Sequence, residues 1–313
     1  MSGEICLAIF GCDRPRHLEK VLKFLSLNLE VSNYPILVFI DYPKDLSKLD
    51  DHRKVVKIAK DNVYNLNIIE MSVQQENLGL ASSIIQGVSH CFNFYEQTIV
   101  LEDDILVSNI FLKYMRICLK EFRSDFKIGS ISGFSSLSVN KFSNVNLVAL
   151  ERHSSWGWAT WKDRWELVDW HILNTRTDEI PYFIKILEEV GPDLPSMLKS
   201  LIDAEIDSWA VLFSLNMKLL NFRALYPIET LVENIGLDGS GTNSKKNLFK
   251  KTRHFSGREM PFKDGAVNYR ISRYYDFRMR FSYSKWSPFP LSLFIMLGLK
   301  AKGYMRRSFL RYK

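Results

Sequence analysis

The chain has 313 residues, of which 46% are hydrophobic and 25% are charged, a composition that excludes a disordered protein. Its formal net charge of +7 is unevenly distributed. Residues 245–313 contain 18 Lys and Arg against 3 acids, or +15, whereas residues 1–244 contain 24 bases and 32 acids, or −8. This asymmetry indicates that any contact with a membrane surface or a nucleic acid is made by residues 245–313, the C-terminal segment.

Several locations are disfavoured by the sequence. No uncharged apolar run reaches the roughly 18–20 residues that span a bilayer, and the N-terminus has no secretion signal. The four cysteines form no CxxC pair and fit no zinc spacing: Cys6, Cys12, Cys91 and Cys118. They are typical of reduced thiols, so we expect a cytoplasmic protein.

The first 135 residues alternate short apolar runs with amphipathic stretches. Strands are predicted at 5–10, 35–40, 67–71, 98–101 and 127–132, with helices between them at 15–27, 46–60, 80–92 and 109–122. This alternation predicts an α/β fold with a mostly parallel, Rossmann-like sheet flanked by helices on both faces. Such sheets bind ligands at the carboxyl ends of their strands.

Residues 136–244 differ in character and form a second predicted unit. They contain a cluster of five tryptophans at 156–170, a stretch of helical periodicity at 194–219, a strand-like run at 222–226 and a Gly-rich loop at 236–243. The C-terminal segment is the third unit, a basic helical extension in which 14 residues without a charge, 286–299, precede several bases. An apolar run flanked by bases is typical of a segment that lies on a membrane surface, and a helix packed on the domain is the alternative.

The strongest local motif is Glu102-Asp103-Asp104, directly after the strand at 98–101. Three consecutive carboxylates repel one another unless a cation or hydroxyl groups offset their charge. At the carboxyl end of a buried strand they would face the ligand, where a divalent metal could bridge to phosphate oxygens. The alternative is a solvated acidic turn before a helix.

Two further polar residues follow the first two strands. Arg14 follows strand 5–10 and could reach a base or a phosphate, although a loop arginine near a helix start is the alternative. Asp41 ends strand 35–40 and could accept a hydrogen bond from a nucleobase or cap a turn.

Three weaker motifs lie in the second unit. Trp156-Gly157-Trp158 could offer indole platforms to a sugar or could fill the core. Asp203 and Asp207 would share one face if their segment is helical, and one of them could be a general base or both could be solvated. The loop that includes Gly239 and Ser240 could close over a phosphate or be a plain connection.

Together, the order and spacing of these motifs resemble those of the N-acetylglucosaminyltransferase I-like glycosyltransferases and their bacterial relatives in polysaccharide assembly. The resemblance covers about residues 4–243. It implies a GT-A fold and inverting transfer from a UDP-linked sugar with Mn²⁺ or Mg²⁺. It also implies these roles: Arg14 and Asp41 at the uracil, Asp103 at the ribose, Asp104 at the metal, Glu102 at the donor sugar, Trp156 and Trp158 in the sugar pocket, and Gly239 and Ser240 over the diphosphate.

The general base is where the sequence departs from the family pattern. The family's base Asp tends to follow a Trp directly, whereas Asp207 precedes Trp209. Asp207 is the candidate base, with Glu205 and Asp203 in reserve. Asn243 stands where relatives often have His.

The resulting hypothesis is a hexosyl- or N-acetylhexosaminyltransferase that acts on a glycan acceptor, lipid-linked at the inner face of the cytoplasmic membrane, in O-antigen (lipopolysaccharide) or capsule synthesis. The alternative is an inactive nucleotide-sugar-binding or scaffold protein of the same pathway. Nucleic-acid binding is disfavoured because residues 1–244 are acidic and no nucleic-acid-binding signature occurs.

Overall fold

The computed structural model describes residues 4–135, 147–236, 267–271 and 276. Its strands are β1 (Ile5–Gly11), β2 (Ile36–Ile40), β3 (Ile68–Val73), β4 (Gln97–Glu102), β5 (Ile105–Val107), β6 (Ile128–Ser132), β7 (Leu147–Leu150), β8 (Trp158–Trp161), β9 (Arg223–Pro227), β10 (Val232–Asn234) and β11 (Tyr269–Ile271). Its helices are α1 (Pro15–Ser26), α2 (Leu49–Asp61), α3 (Leu80–Cys91), α4 (Phe111–Glu121), α5 (Lys162–Trp165), α6 (Ile172–Thr175), α7 (Ile180–Val190), α8 (Leu194–Ile202) and α9 (Trp209–Leu219).

Nine strands form one sheet in the order β11-β7-β9-β6-β8-β4-β1-β2-β3. Strands β1 to β4 pair in parallel, as do β6 with β9 and β11 with β7, whereas β8 is antiparallel to both of its neighbours. Strand β2 is buried along its whole length, which explains its unbroken apolar sequence. The predicted α/β fold with a mostly parallel sheet flanked by helices is confirmed.

Buried apolar side chains cover both faces of the sheet. On one face, Leu18 of α1, Val55 of α2 and Met115 of α4 belong to one core cluster. On the other face, Ile84 of α3 and Phe213 of α9 belong to a second cluster. A third cluster joins α7 and α8 to α9. The helices that follow β1 and β3 therefore pack on opposite faces.

The order of the strands reverses at β1, which lies between β4 and β2. The chain goes from β1 through α1 to β2 on one side, and it returns from β3 through α3 to β4 on the other side. Such a switch point leaves a crevice at the carboxyl ends of β1 and β4, because the chain leaves β1 towards β2 and leaves β4 in the opposite direction along the sheet, towards β6. The segments after β1 and β4 are therefore the first place to look for a ligand site.

The stretch predicted as one helix at 194–219 consists of two helices, α8 and α9, so this prediction is wrong. Helix α8 ends at Ile202, and Ala204 has a φ of 56°, a left-handed conformation through which an α-helix does not continue. As a result, Asp203 and Asp207 do not share a helix face.

Part of the C-terminal segment belongs to the sheet. Strand β11 pairs with β7, and Tyr269 donates a hydrogen bond from its hydroxyl to Asp125 Oδ2 at 2.7 Å. Asp276 Oδ1 accepts from the Glu151 N–H at 3.2 Å. The uncharged run at 286–299 lies outside the described residues. Within the described ranges, no helix is both long enough and apolar enough to cross a membrane.

A neutral histidine lies inside the aromatic core between the sheet and α9. The His153 ring packs against Trp158, Trp209 and Phe213, with ring centroids 4.7 to 5.5 Å apart. Its Nδ1 lies 3.1 Å from Ser130 Oγ. Burial, followed by the positive charge of Arg152, lowers the pKa of His153 to about 3. The folded protein therefore keeps this imidazole uncharged at neutral pH.

We expect His153 to make the folded state sensitive to mild acid. Below about pH 6.5 the unfolded chain binds a proton at this residue while the folded chain does not, so stability falls as the pH decreases from 6.5 towards 3. When the pH is lowered from 7.5 to 5, the free energy of unfolding should decrease by about 2 kcal/mol more in the unmodified protein than in His153→Phe, as measured by urea denaturation. Equal losses in the two proteins would contradict this assignment.

Candidate active site

An arginine and two aspartates meet across the switch point. Arg14 follows β1, and Asp103 and Asp104 follow β4, its neighbour in the sheet. The Arg14 guanidinium donates to Asp103 Oδ1 through Nη2 and to Asp104 Oδ2 through Nη1, the latter at 2.9 Å. Asp103 is 2% exposed and Asp104 is 8% exposed. The motif predicted at 102–104 therefore has a cation bound to two of its three carboxylates.

Burial dominates the electrostatics of this group. It raises the pKa of Glu102, with Asp104 adding to the rise, and it raises the pKa of Asp103, where Arg14 opposes the change. Burial alone would lower the pKa of Arg14, but Asp103 and Asp104 raise it above its ordinary value. One arginine thus compensates only part of the negative charge of three consecutive carboxylates.

Asp104 is the residue of this group whose surroundings would admit a divalent metal ion as a ligand. Asp104 Oδ1 is buried, and within the described ranges it has no hydrogen-bond partner. The chain passes close by at Gly236, where a Cβ would overlap Asp104 Oδ2 and reach within 3.0 Å of Arg14 Nη1. No group of three His, Cys, Asp or Glu side chains in these ranges could hold a metal by itself. A metal at Asp104 would therefore take most of its ligands from a bound molecule, as Mg²⁺ commonly does with phosphates.

Asp41 lies at the same edge of the sheet, but its carboxylate is used within the protein. Its Oδ1 accepts from the N–H groups of Tyr42 and Leu78, both at 2.9 Å. Its Oδ2 accepts from the Gly79 N–H at 3.1 Å and from Asn77 Nδ2 at 3.2 Å. Burial raises the pKa of Asp41, the three backbone N–H groups lower it, and Asp207 raises it.

Asp207 is the candidate base that the structure places nearest this edge. Its Oδ2 accepts from the Ala81 N–H at 3.2 Å, in the first turn of α3. The two reserve candidates, Asp203 and Glu205, are exposed, and Glu205 Oε2 accepts from Ser200 Oγ at 2.8 Å. Asp207 is half-buried and close enough to Asp41 to raise its pKa.

The two tryptophans predicted for the sugar pocket have different surroundings. Trp158 is fully buried in the core and stacks on Trp209, with ring centroids 4.8 Å apart. Trp156 is half-buried at the carboxyl edge and packs edge-on against Phe134, with centroids 4.5 Å apart. Gly157 separates them at a φ of 58°, and a Cβ there would crowd Val232. Of these two tryptophans, Trp156 is the one with an exposed part of its ring system at this edge.

Sequence reasoning missed two groups near the site. His52 of α2 is 6% exposed, and its Nδ1 lies 3.1 Å from the carbonyl oxygen of Cys12. The second group is the loop Asn77–Gly79, which holds Asp41; an Asn-x-Gly sequence just before a helix is a recognisable turn signal. Burial raises the pKa of the Cys12 thiol to about 12, with Asp13, Asp41 and Asp103 adding to the rise. Gly239, Ser240 and Asn243 lie outside the described residues.

Comparison with known proteins gives distant structural likenesses. No protein-family model and no curated protein matches the chain. The crystal structure of S. aureus TarS 1-349 has a TM-score of 0.42 at 11% identity, covering 72% of this chain and 59% of that one. A mannosyltransferase from Pyrobaculum calidifontis, in complex with GDP-Man and Mn²⁺, has a TM-score of 0.35 at 13% identity, covering 51% and 45%. A cytidylyltransferase from Leptospira borgpetersenii has a TM-score of 0.33 at 14% identity, covering 56% and 73%.

Removing Arg14 should destabilise the protein by leaving two buried carboxylates without a counter-charge. We expect Arg14→Ala to lower the free energy of unfolding by about 3 kcal/mol near pH 8, measured by urea denaturation. The double variant Arg14→Ala/Asp104→Asn should recover part of that loss, because one of the two negative charges is gone.

The matched control is Arg53→Ala, which breaks an exposed ion pair with Asp50. It should change stability very little. If Arg14→Ala also changes stability very little, the ion pairs of Arg14 with Asp103 and Asp104 do not stabilise the folded state as we expect.

Proposed function

We propose that this chain is an inverting, metal-dependent glycosyltransferase with a GT-A arrangement, which moves a sugar from a UDP-linked donor to a glycan acceptor. The observation that supports this most is the meeting of Arg14, Asp103 and Asp104 at the switch point, with Asp207 near the same edge. This combination provides a place for a sugar nucleotide and a carboxylate for the acceptor. The resemblance of the motifs to the N-acetylglucosaminyltransferase I-like family agrees with it.

The donor side needs positive charge, because a leaving diphosphate is an anion and this edge is rich in carboxylates. Mn²⁺ or Mg²⁺ held by Asp104 and by phosphate oxygens would supply that charge and stabilise the leaving group. Arg14 is the arginine found at the switch point, and its guanidinium has the fork geometry that suits a phosphate or a base. Asp103 and Glu102, as hydrogen-bond acceptors, suit the hydroxyl groups of a ribose and a donor sugar.

The acceptor side needs a base, because a sugar hydroxyl is a poor nucleophile until its proton is taken. In an inverting transfer this proton leaves as the new bond forms at the anomeric carbon, so one carboxylate is sufficient. We assign this role to Asp207, since Glu205 and Asp203 are exposed on the connection between α8 and α9. Trp156 is the indole available to pack against a sugar face.

Substrate classes and location extend the same proposal. A hexose or N-acetylhexosamine donor, a lipid-linked acceptor and a role in O-antigen or capsule synthesis fit the family that the motifs resemble. A peripheral position on the inner face of the cytoplasmic membrane fits the +15 charge of the C-terminal segment.

A UDP-release assay over a panel of UDP-sugars, with Mn²⁺ or Mg²⁺ and glycan acceptors, is the primary test. We expect Asp104→Asn to lower turnover at least about 100-fold, because the metal stabilises the leaving diphosphate. Asp207→Asn should lower kcat by about 10²- to 10⁴-fold, because the acceptor hydroxyl loses its base, while UDP affinity changes little.

The control is Asp45→Asn, an exposed aspartate in the connection after β2, which should keep normal turnover. If Glu205→Gln abolishes turnover and Asp207→Asn does not, the base has been assigned to the wrong residue. If the protein binds UDP-sugars but neither transfers nor hydrolyses them, it is a binding or scaffold protein.

Membrane docking has its own test with the full chain. Replacing Lys300, Lys302, Arg306 and Arg307 by Gln should weaken binding to anionic phospholipid vesicles at least about 100-fold, since each base near such a surface contributes about 1 kcal/mol. Replacing four exposed lysines of the body by Gln is the charge-matched control: Lys20, Lys54, Lys57 and Lys60. Equal losses in the two variants, or no binding of the unmodified chain, would overturn membrane docking by this segment.

A further inference from the structure

We propose that Asp41 is a positioning residue: it fixes the loop between β3 and α3, and this loop holds Asp207 in place through the first turn of α3. The proposal rests on the proposed function for the role of Asp207. It gives Asp41 a different task from the nucleobase contact that the family resemblance implies.

The first step is that all hydrogen-bond acceptor positions of the Asp41 carboxylate are occupied. The side chain is 7% exposed, and each of its oxygens accepts two hydrogen bonds. A carboxylate offers about four such positions, so all of them are filled. Three of the four donors belong to Asn77, Leu78 and Gly79, which come from another strand connection. Asp41 therefore joins the end of β2 to the loop after β3.

The second step is the backbone of Gly79, the residue just before α3. Its φ of 81° and ψ of 163° lie in a region that is essentially restricted to glycine. A Cβ at this position would lie 2.5 Å from Asp207 Oδ2. Asp41 holds the N–H of this residue on one side, and Asp207 is in close contact with it on the other. Gly79 is thus in contact with both carboxylates.

The third step is the hydrogen bond that fixes Asp207. Two residues after Gly79, the Ala81 N–H donates to Asp207 Oδ2 at 3.2 Å. The N–H groups of a first helical turn have no partner within the helix and favour an anion, so the start of α3 is a good holder for a carboxylate. A displacement of Leu78 and Gly79 moves this turn, and Asp207 with it. The contacts therefore connect Asp41 to Asp207 through Gly79 and Ala81.

Amide hydrogen exchange on the full chain tests this connection without any substrate. Asp41→Asn keeps one carbonyl oxygen but loses the second acceptor group, so exchange should become at least about 10-fold faster at Leu78, Gly79 and Ala81. Asp207→Asn should accelerate Ala81 far more than Leu78. Asn77→Ala, which removes one donor at an exposed position, should show the Asp41→Asn pattern more weakly and serves if that variant folds poorly. Unchanged exchange at Ala81 in Asp41→Asn would overturn the proposal.

Kinetics then distinguish a positioning role of Asp41 from direct contact of Asp41 with the nucleobase. Asp41→Asn and Gly79→Ala should both lower kcat about 10-fold or more, with the Kd for UDP within about 2-fold of that of the unmodified chain. Asp45→Asn should change neither quantity. If Asp41→Asn instead weakens UDP binding more than about 10-fold at normal kcat, Asp41 contacts the nucleotide and the proposal is wrong. If the unmodified chain turns over no UDP-sugar, the proposed function fails, and exchange at Ala81 still decides whether Asp41 holds Asp207.

Discussion

The candidate active site depends on a positive charge that offsets the negative charge of carboxylates buried at the edge of the sheet. Asp103 and Asp104 directly follow the buried strand β4, and both are themselves buried. Arg14, after the neighbouring strand β1, binds both, and it can do so because the two strands are parallel and end together. Among the described residues, one guanidinium does not balance the three acids of the motif, and Asp104 Oδ1 has no hydrogen-bond partner there. The part of the chain that the structure describes thus supplies less positive charge than negative charge at the switch point.

A second constraint acts on the opposite side of β1. The connections after β2 and β3 are joined by Asp41, and the start of α3 meets the segment between α8 and α9 at Asp207. This arrangement joins the parallel half of the sheet to the helical region formed by α7, α8 and α9. A site of this kind uses chain segments that are far apart in sequence, so its geometry depends on the whole fold.

The strands of the sheet and the helices that pack on it were predictable, because burial requires apolar residues at regular positions in the sequence. Strand β2 appears as an unbroken apolar run, and α3 was predicted at 80–92 and found at Leu80–Cys91. The positions of Arg14 and Asp104 at the carboxyl edge followed from the same pattern, since each lies within three residues of the end of a buried strand.

Other features depend on partners that a single stretch of sequence does not identify. Strand β8 enters the sheet antiparallel between β4 and β6, which local periodicity does not determine. The four hydrogen bonds of Asp41 come mainly from residues more than 30 positions away, so its role could not be read from its place after a strand. The break between α8 and α9 depends on one left-handed residue, Ala204, whose side chain gives no such signal.

The aromatic core also has an optical consequence. Four tryptophans form a continuous cluster, in which Trp158 stacks on Trp209 at 4.8 Å and on Trp165 at 5.9 Å, and Trp165 packs at a tilt against Trp170 at 4.6 Å, measured between ring centroids. Indoles this close exchange excitation energy, so the emission of these four, among the seven tryptophans of the chain, is coupled. Trp209 is the first residue of α9, two positions after Asp207. The coupled tryptophans therefore extend to within two residues of the candidate base.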